Sequence, residues 1–381
     1  MFRFEKEKKP SAPLEREVVK TVEYPHFMNY ELVEKWGDGI PRYEEADPKH
    51  PEWRATPVIP IDLSQEGYGE VFIKNEADPK SNRTKTIKDR AAWELATLYR
   101  DYARGLYLKI RNGSLRKAEL NKKVIPRFSL ITAGNEGRAV AESFKRYNLP
   151  APKIILDKDV AKTRLKELRK LRADIYLVDL SKKELSSEEI RKLSDNENGI
   201  DITSAKSIEP HAIFYDWHVH EAFNEKPDEI YVPYGSGRLM ENYLTWQERN
   251  LRQGRDPRLK TDISKVISMD ILGAEPKERK SIADKLTADF KPFITFEDED
   301  IKNLIKLDFT GKKTGKHLVD EERIKEAHEV MVKYGIEAEP SAAAGLALYL
   351  DRFDKGLVRE DKKILVINTG KGLEKAEELK L

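Results

Sequence analysis

Apolar and polar positions along this chain recur in one order: a short apolar run, a turn carrying glycine, then an amphipathic stretch. The first such run, Val71-Phe72-Ile73, reads as a strand and ends in Lys74-Asn75-Glu76-Ala77-Asp78-Pro79. Over residues 87–102 the apolar positions Ala91, Leu95, Leu98, Tyr99 and Tyr102 fall at helical spacing, which predicts a helix with Lys88 in its first turn. A basic, exposed segment runs from there to Pro126. Three strand-then-helix units follow, 128–132 with 136–147, 153–156 with 159–171, and 174–178 with 186–193. After a polar stretch at 194–207 a second series begins: a strand at 229–233, a helix at 239–250 and an apolar run at 265–272. Helices at 321–334 and 341–353 and a final strand at 363–368 complete it.

Alternating strands and helices predict parallel sheets covered by helices. The length of 381 residues exceeds what one core usually supports, so the expected fold class is α/β with two open, mainly parallel lobes. Residues 1–50 read as an extended arm with turns at 24–27 and 36–39. Residues 51–90 and 208–381 read as a discontinuous large domain, and 91–207 as a small α/β domain.

Composition narrows the class. Lys plus Arg number 70 against 68 Asp plus Glu, and a net charge of only +2 marks neither a nucleic-acid binder nor a binder of anionic membranes. There is no cysteine, which excludes a disulfide framework, a thiolate nucleophile and a Cys-ligated metal site. No apolar run approaches the roughly 20 residues of a membrane helix, and the N-terminus lacks the apolar core of a signal peptide. A cytoplasmic protein is the expectation.

Four motifs carry candidate chemistry: Thr86-Ile87-Lys88-Asp89-Arg90, Thr132-Ala133-Gly134-Asn135-Glu136-Gly137, Gly235-Ser236-Gly237 and Thr369-Gly370-Lys371-Gly372. Each glycine motif follows an apolar run, which places all three at strand ends, where α/β proteins hold ligands. A lysine at a helix start feels a positive helix-terminal field and partial burial, both favouring the neutral amine that condenses with an aldehyde. Alone, Lys88 reads as an ordinary surface lysine. Gly235-Ser236-Gly237 before a helix offers free N–H groups to a phosphate, with Arg238 adding charge, or is a plain tight turn. Met240 stands where a dinucleotide fingerprint needs its third glycine. Thr369 offers a hydroxyl to a heteroaromatic nitrogen, and the Thr132 to Gly137 loop suits a phenolic oxygen and a carboxylate; ordinary βα turns explain both as well.

In their joint order these motifs resemble the fold type II pyridoxal-phosphate enzymes of the tryptophan synthase beta-like superfamily. Lys74-Asn75-Glu76-Ala77-Asp78-Pro79 with Thr86-Ile87-Lys88-Asp89-Arg90 is similar to the K-x-E-x-x-N-P…S-F-K-D-R signature, and Thr132-Ala133-Gly134-Asn135 to the S-A-G-N loop. Glu339-Pro340-Ser341-Ala342-Ala343-Ala344-Gly345 resembles the E-P-S-x-A-A segment, and Thr369-Gly370-Lys371-Gly372 the closing T-G-x-G. The resemblance spans residues 55–373. It implies pyridoxal 5'-phosphate held in the cleft between two lobes, joined to Lys88, which then serves as acid and base. It implies Asn135 on the pyridine hydroxyl oxygen, Gly235, Ser236, Gly237 and Arg238 about the phosphate, and Thr369 facing the ring nitrogen. Thr132, Ala133, Gly134 and Glu136 would meet a small amino-acid substrate. A homodimer is also implied.

A neutral partner for the ring nitrogen makes a weaker electron sink, and the family's usual outcome is elimination or replacement at Cβ or Cγ. Three departures bear on the reaction. The loop between Pro79 and Lys88 is longer than the family's and basic (Lys80, Arg83, Lys85), which suits an anionic leaving group or is merely solvated. Ala133 matches the serine and threonine ammonia-lyase branch. Glu136 puts a carboxylate where the family has Thr or His, turned either to the substrate or away as a helix N-terminal charge. The expectation is a lyase acting on a small hydroxy- or phospho-amino acid, threonine synthase-like or ammonia-lyase-like. The alternatives are a cysteine synthase-like replacement and a binding homologue without turnover.

Two further patterns read as structural. Trp217-His218-Val219-His220 places two imidazoles on one face of a strand with no third ligand nearby. Gly311-Lys312-Lys313-Thr314-Gly315-Lys316-His317 misses the spacing and final hydroxyl of a phosphate-binding loop and reads as an exposed basic loop.

Overall fold

The structure is a computed structural model, described for residues 15–17, 26–40, 55–132, 134–171, 173–180, 185–203, 215–254, 259–278, 280–287 and 313–372. In chain order the strands are β1 Glu15–Glu17, β2 Val58–Asp62, β3 Glu70–Asn75, β4 Arg127–Ile131, β5 Lys153–Asp157, β6 Asp174–Val178, β7 Gly199–Asp201, β8 Glu229–Pro233, β9 Asp270–Pro276, β10 Gly315–Val319 and β11 Ile364–Asn368. The helices are α1 Tyr30–Gly39, α2 Lys88–Arg111, α3 Lys117–Leu120, α4 Asn135–Tyr147, α5 Lys162–Lys170, α6 Ser187–Lys192, α7 Asp216–Asn224, α8 Arg238–Gln253, α9 Ile263–Ser268, α10 Glu321–Lys333 and α11 Pro340–Asp354.

The fold is α/β with two lobes, each built on an open, mainly parallel sheet. One sheet has the order β1-β6-β5-β4-β7, parallel except for the edge strand β1. The other has the order β10-β9-β8-β11-β3-β2, parallel except for the edge strand β2. The strands β8 and β11 are buried along their whole length and apolar except for Glu229 at the start of one and Asn368 at the end of the other, as strands covered on both faces should be. Because β8, β11 and β3 are adjacent and parallel, their C-terminal ends share one edge. The turn after β3, the Gly235 loop and the Thr369 segment therefore lie side by side.

The helix carrying Lys88 is rich in strong helix formers, and packing fixes its position. Its buried face packs on α1 and α4, with Tyr99 edge-on to Trp36 and to Phe144 at centroid distances of 5.4 and 5.5 Å. The Tyr99 hydroxyl donates to the Pro126 carbonyl at 2.8 Å, so a buried phenol keeps its hydrogen bond.

Several expectations are corrected. The helix beginning at Lys88 extends to Arg111, because Ala103 and Leu106 continue the buried face where the charges suggest an exposed segment. Trp36 to Gly39 is the end of α1, with Trp36 in the core, and not a turn in an extended arm. The first strand of the larger sheet is β2 rather than Val71 to Ile73, and its Pro60 is tolerated because the strand is an edge. The run at 265–272 divides into α9 and the start of β9. β7 lies in the stretch read as merely polar. Gly315 to Val319 is an edge strand; residues 311 and 312 lie outside the described residues. His218 and His220 sit on helix α7, where neighbours two apart point to different sides.

Candidate active site

Lys88 opens α2 against the closing segment of the chain. The Ile87 N–H donates to the Thr369 carbonyl at 2.9 Å and the Lys371 N–H to the Lys85 carbonyl at 3.0 Å, while Thr86 and Gly370 form an antiparallel bridge. Gly370 has φ 137°, and a Cβ there would lie 2.5 Å from the Lys85 carbonyl oxygen, so glycine alone lets these segments meet. Two motifs almost 300 residues apart in sequence become one surface.

The Lys88 ammonium donates to the Tyr215 hydroxyl at 2.9 Å and lies 3.6 Å from Glu136 Oε2. Glu136 in turn meets Arg238 Nη1 at 3.3 Å, and Arg238 Nη2 donates to the Thr203 carbonyl at 2.6 Å. The groups come from α2, α4, the start of α7 and the start of α8, so the cluster draws on both sheets' surroundings. Burial opposes the charge on Lys88, but Glu136 and Tyr215 outweigh both burial and the repulsion of Arg238, and the amine's pKa is raised. Burial likewise pushes the Glu136 carboxyl up, and Lys88 with Arg238 bring it below its ordinary value. This direction runs opposite to the expected neutral amine: Glu136 and Tyr215 together favour the ammonium form of Lys88.

The remaining predicted residues occupy the neighbouring strand ends. Asn135 starts α4, and its amide donates to Glu339 Oε1 at 3.5 Å; Glu339 also pairs with Lys285. The Thr132 hydroxyl accepts from the Gly134 and Gly137 N–H groups at 3.1 and 3.4 Å, which folds this loop over the end of β4. Ala133 lies outside the described residues. Gly235, Ser236 and Gly237 connect β8 to α8, with Gly237 as N-cap at φ 79°. The first turn of α8 thus presents N–H groups without intrahelical acceptors. A cavity of about 590 Å³ opens beside Glu339, lined also by Arg164, Lys285, His328, Ile336 and Lys371.

Sequence reasoning missed Tyr215, which had no patterned neighbour to mark it, and gave no role to Glu339 or Lys285. Glu339 had a signal in its Glu-Pro-Ser context. Lys85, read as suiting an anionic leaving group or as merely solvated, is paired with Glu337 at 2.7 Å, and Lys371 reaches the same carboxylate at 2.8 Å.

A second buried polar cluster stands directly behind. Fully buried Glu76 accepts from Thr56 Oγ1 (2.6 Å), Asn82 Nδ2 (2.7 Å) and Arg90 Nε (3.3 Å), and lies 2.8 Å from His218 Nδ1. Glu221 takes Lys74 Nζ at 2.6 Å and Arg90 Nη2 at 3.1 Å, and His218 Nε2 meets the Tyr243 hydroxyl at 2.8 Å. Burial opposes ionisation of Glu76, yet Arg90, His218 and Lys74 hold its pKa well below the ordinary carboxylate value.

A primary amine in a polar cleft, ringed by strand-end loops and a helix N-terminus, fits an aldehyde that also bears a phosphate. Residues 50–370 match the family model described as pyridoxal-phosphate dependent enzyme, and the chain belongs to that family, the fold type II enzymes, whose cofactor is pyridoxal phosphate. No curated protein matches it in sequence. Among solved structures it is similar to maize serine racemase, with 17% identity, TM-score 0.58, and coverage of 94% of this chain and 97% of that one. It is similar to diaminopropionate ammonia lyase from Escherichia coli at 15% identity, TM-score 0.55, covering 97% and 96%. It also resembles the O-acetylserine dependent cystathionine beta-synthase of Helicobacter pylori, at 16% identity, TM-score 0.54, covering 88% and 94%. No described helix is long and apolar enough to cross a membrane.

Proposed function

We propose that this chain is a pyridoxal-phosphate-dependent lyase that removes a β substituent from a small hydroxy-amino acid, in the manner of a serine or threonine ammonia-lyase. The observation that carries this reading is the Lys88 amine, held between Tyr215 and Glu136 where the strand-end loops converge. Bound pyridoxal phosphate supplies an electron sink that makes the substrate's α-proton acidic. Lys88 moves that proton and afterwards returns it or delivers it to the leaving group. The N–H groups of Gly235, Ser236, Gly237 and the first turn of α8 hold the phosphate, with Arg238 close by. Asn135 meets the phenolic oxygen, and Thr369 the ring nitrogen. Thr132, Ala133 and Gly134 meet the substrate carboxylate, and Glu136 faces the reacting amine.

Lys85 and Lys371 share the single carboxylate of Glu337, which offsets part of the positive charge here and favours a hydroxyl over a phosphate leaving group. Purified protein is expected to be yellow, with the cofactor fixed to Lys88 by borohydride and Lys88→Ala free of adduct. L-Serine or L-threonine should then give a keto acid and ammonia. Turnover of O-phosphohomoserine to threonine, of O-acetylserine to a replaced product, or of either enantiomer to its mirror image would replace the lyase reading. A protein that ignores added pyridoxal phosphate would remove it.

A further inference from the structure

Lys88 carries a long side chain with four rotatable bonds, and holding such a chain still costs rotamer entropy. A carboxylate at 3.6 Å supplies attraction without direction, since this exceeds hydrogen-bond length. Among the described residues the one directional contact of the amine is the Tyr215 hydroxyl at 2.9 Å.

Tyr215 is well placed to impose direction because it is buried and tied down through its backbone. The residue is 2% exposed, and its backbone N–H donates to Asn242 Oδ1 at 3.2 Å. Asn242 Nδ2 donates to Asp216 at 2.6 Å, and Arg249 grips both oxygens of Asp216 at 2.7 Å. Asn242 and Arg249 both belong to α8, the helix whose N-terminus follows the Gly235 loop, so one helix fixes both the loop and the phenol.

We propose that Tyr215 is the positioning residue for Lys88: its oxygen holds one N–H of the ε-amino group, Glu136 attracts a second, and the third position of the nitrogen is left facing the cleft. Loss of the proton at that third position leaves the lone pair aimed at an incoming aldehyde carbon, while the Tyr215 contact persists. The inference rests on the proposed role of Lys88 in capturing the cofactor. The charged and titratable groups facing Lys88 are Glu136 from α4, Tyr215 from the start of α7 and Arg238 from α8.

The test follows capture of Lys88 by pyridoxal phosphate and, separately, by pyridoxal lacking the phosphate, each trapped with borohydride across the range in which the amine titrates. In this reaction the deprotonated amine adds to the aldehyde carbon, its two remaining hydrogens leave with the carbonyl oxygen as water, and borohydride gives hydride to the C=N carbon while solvent protonates nitrogen. For Tyr215→Phe the plateau rate should fall about tenfold or more with both aldehydes, as expected when orientation is lost. The pH midpoint should fall as well, because a group that stabilises the ammonium is gone; a merely structural residue would leave the midpoint in place. Asn242→Ala keeps the phenol but loosens the turn beneath it. It should lower the plateau alone, and it decides the matter if Tyr215→Phe does not fold.

Wild-type plateau and midpoint in Tyr215→Phe would overturn the proposal, as would slowing confined to the phosphorylated aldehyde. An unchanged plateau in Asn242→Ala would overturn it when that variant has to decide. If the unaltered protein is not captured at Lys88, the proposed function itself falls, and this inference with it.

Discussion

Lys88 and Arg90 stand two residues apart at the start of one helix, yet they enter opposite kinds of environment. Lys88 keeps its side chain 28% exposed, and its partners are a phenol and a shared carboxylate. Arg90, 6% exposed, is locked among Glu76 and Glu221 in a cluster where Thr56, Lys74, Asn82 and His218 meet the same carboxylates. Helix α7 repeats the division, with Tyr215 at its start against Lys88 and His218 and Glu221 on the cluster. A reactive group needs exchangeable partners, whereas the scaffold beneath it needs partners it cannot lose. One helix start serves both because successive positions point about 100° apart.

The sharpest way to break this comparison is Arg90→Ala. It leaves Glu76 and Glu221 with buried charge that has lost its main partner, so about 3–5 kcal/mol of stability should vanish in chemical denaturation. A loss under 1 kcal/mol would deny the cluster its role as scaffold. Next in size is Gly237→Ala, where φ 79° strains any other residue; about 1 kcal/mol should be lost, together with weaker uptake of pyridoxal phosphate than of pyridoxal.

Asp89, between the two residues, gives a smaller and pH-dependent effect. Burial pushes its carboxyl up to about 7, against hydrogen bonds from the Thr84 hydroxyl and N–H. A folded-state pKa above the unfolded value favours the protonated native form. This contribution is therefore complete below about pH 4 and is lost as pH rises through about 7. Asp89→Asn should flatten that part of the stability profile, and an unaltered slope would place the titration elsewhere. Smallest of all is the stability change in Lys88→Ala, expected within about 0.5 kcal/mol because Arg238 still pairs Glu136. That variant should nonetheless lose all covalent cofactor.

The same comparison shows what was legible in the chain. Lys74, Glu76, Lys88 and Arg90 all belong to one recognisable pattern; the resemblance singled out Lys88 among them, but the residue types alone did not. Strand ends followed by Gly235-Ser236-Gly237 and Thr369-Gly370 were readable because continuous apolar runs and glycine turns are local properties. The His218 to His220 run was misread because its aromatic and β-branched residues suit a strand, while burial against α8 makes it a helix. The length of α2 was missed for a related reason, since isolated apolar positions among charges show their face only when α1 and α4 cover it.

The sequence by itself determined the alternation of strands and helices, the glycine turns at strand ends and the presence of one lysine at a helix start. These depend on neighbours within a few turns of chain. Tertiary structure alone decided that Tyr215 and Glu136 flank the Lys88 amine, that its ammonium form is favoured, and that Arg90 faces inward. Those outcomes depend on burial and on distances between groups more than 40 residues apart, which no local pattern encodes.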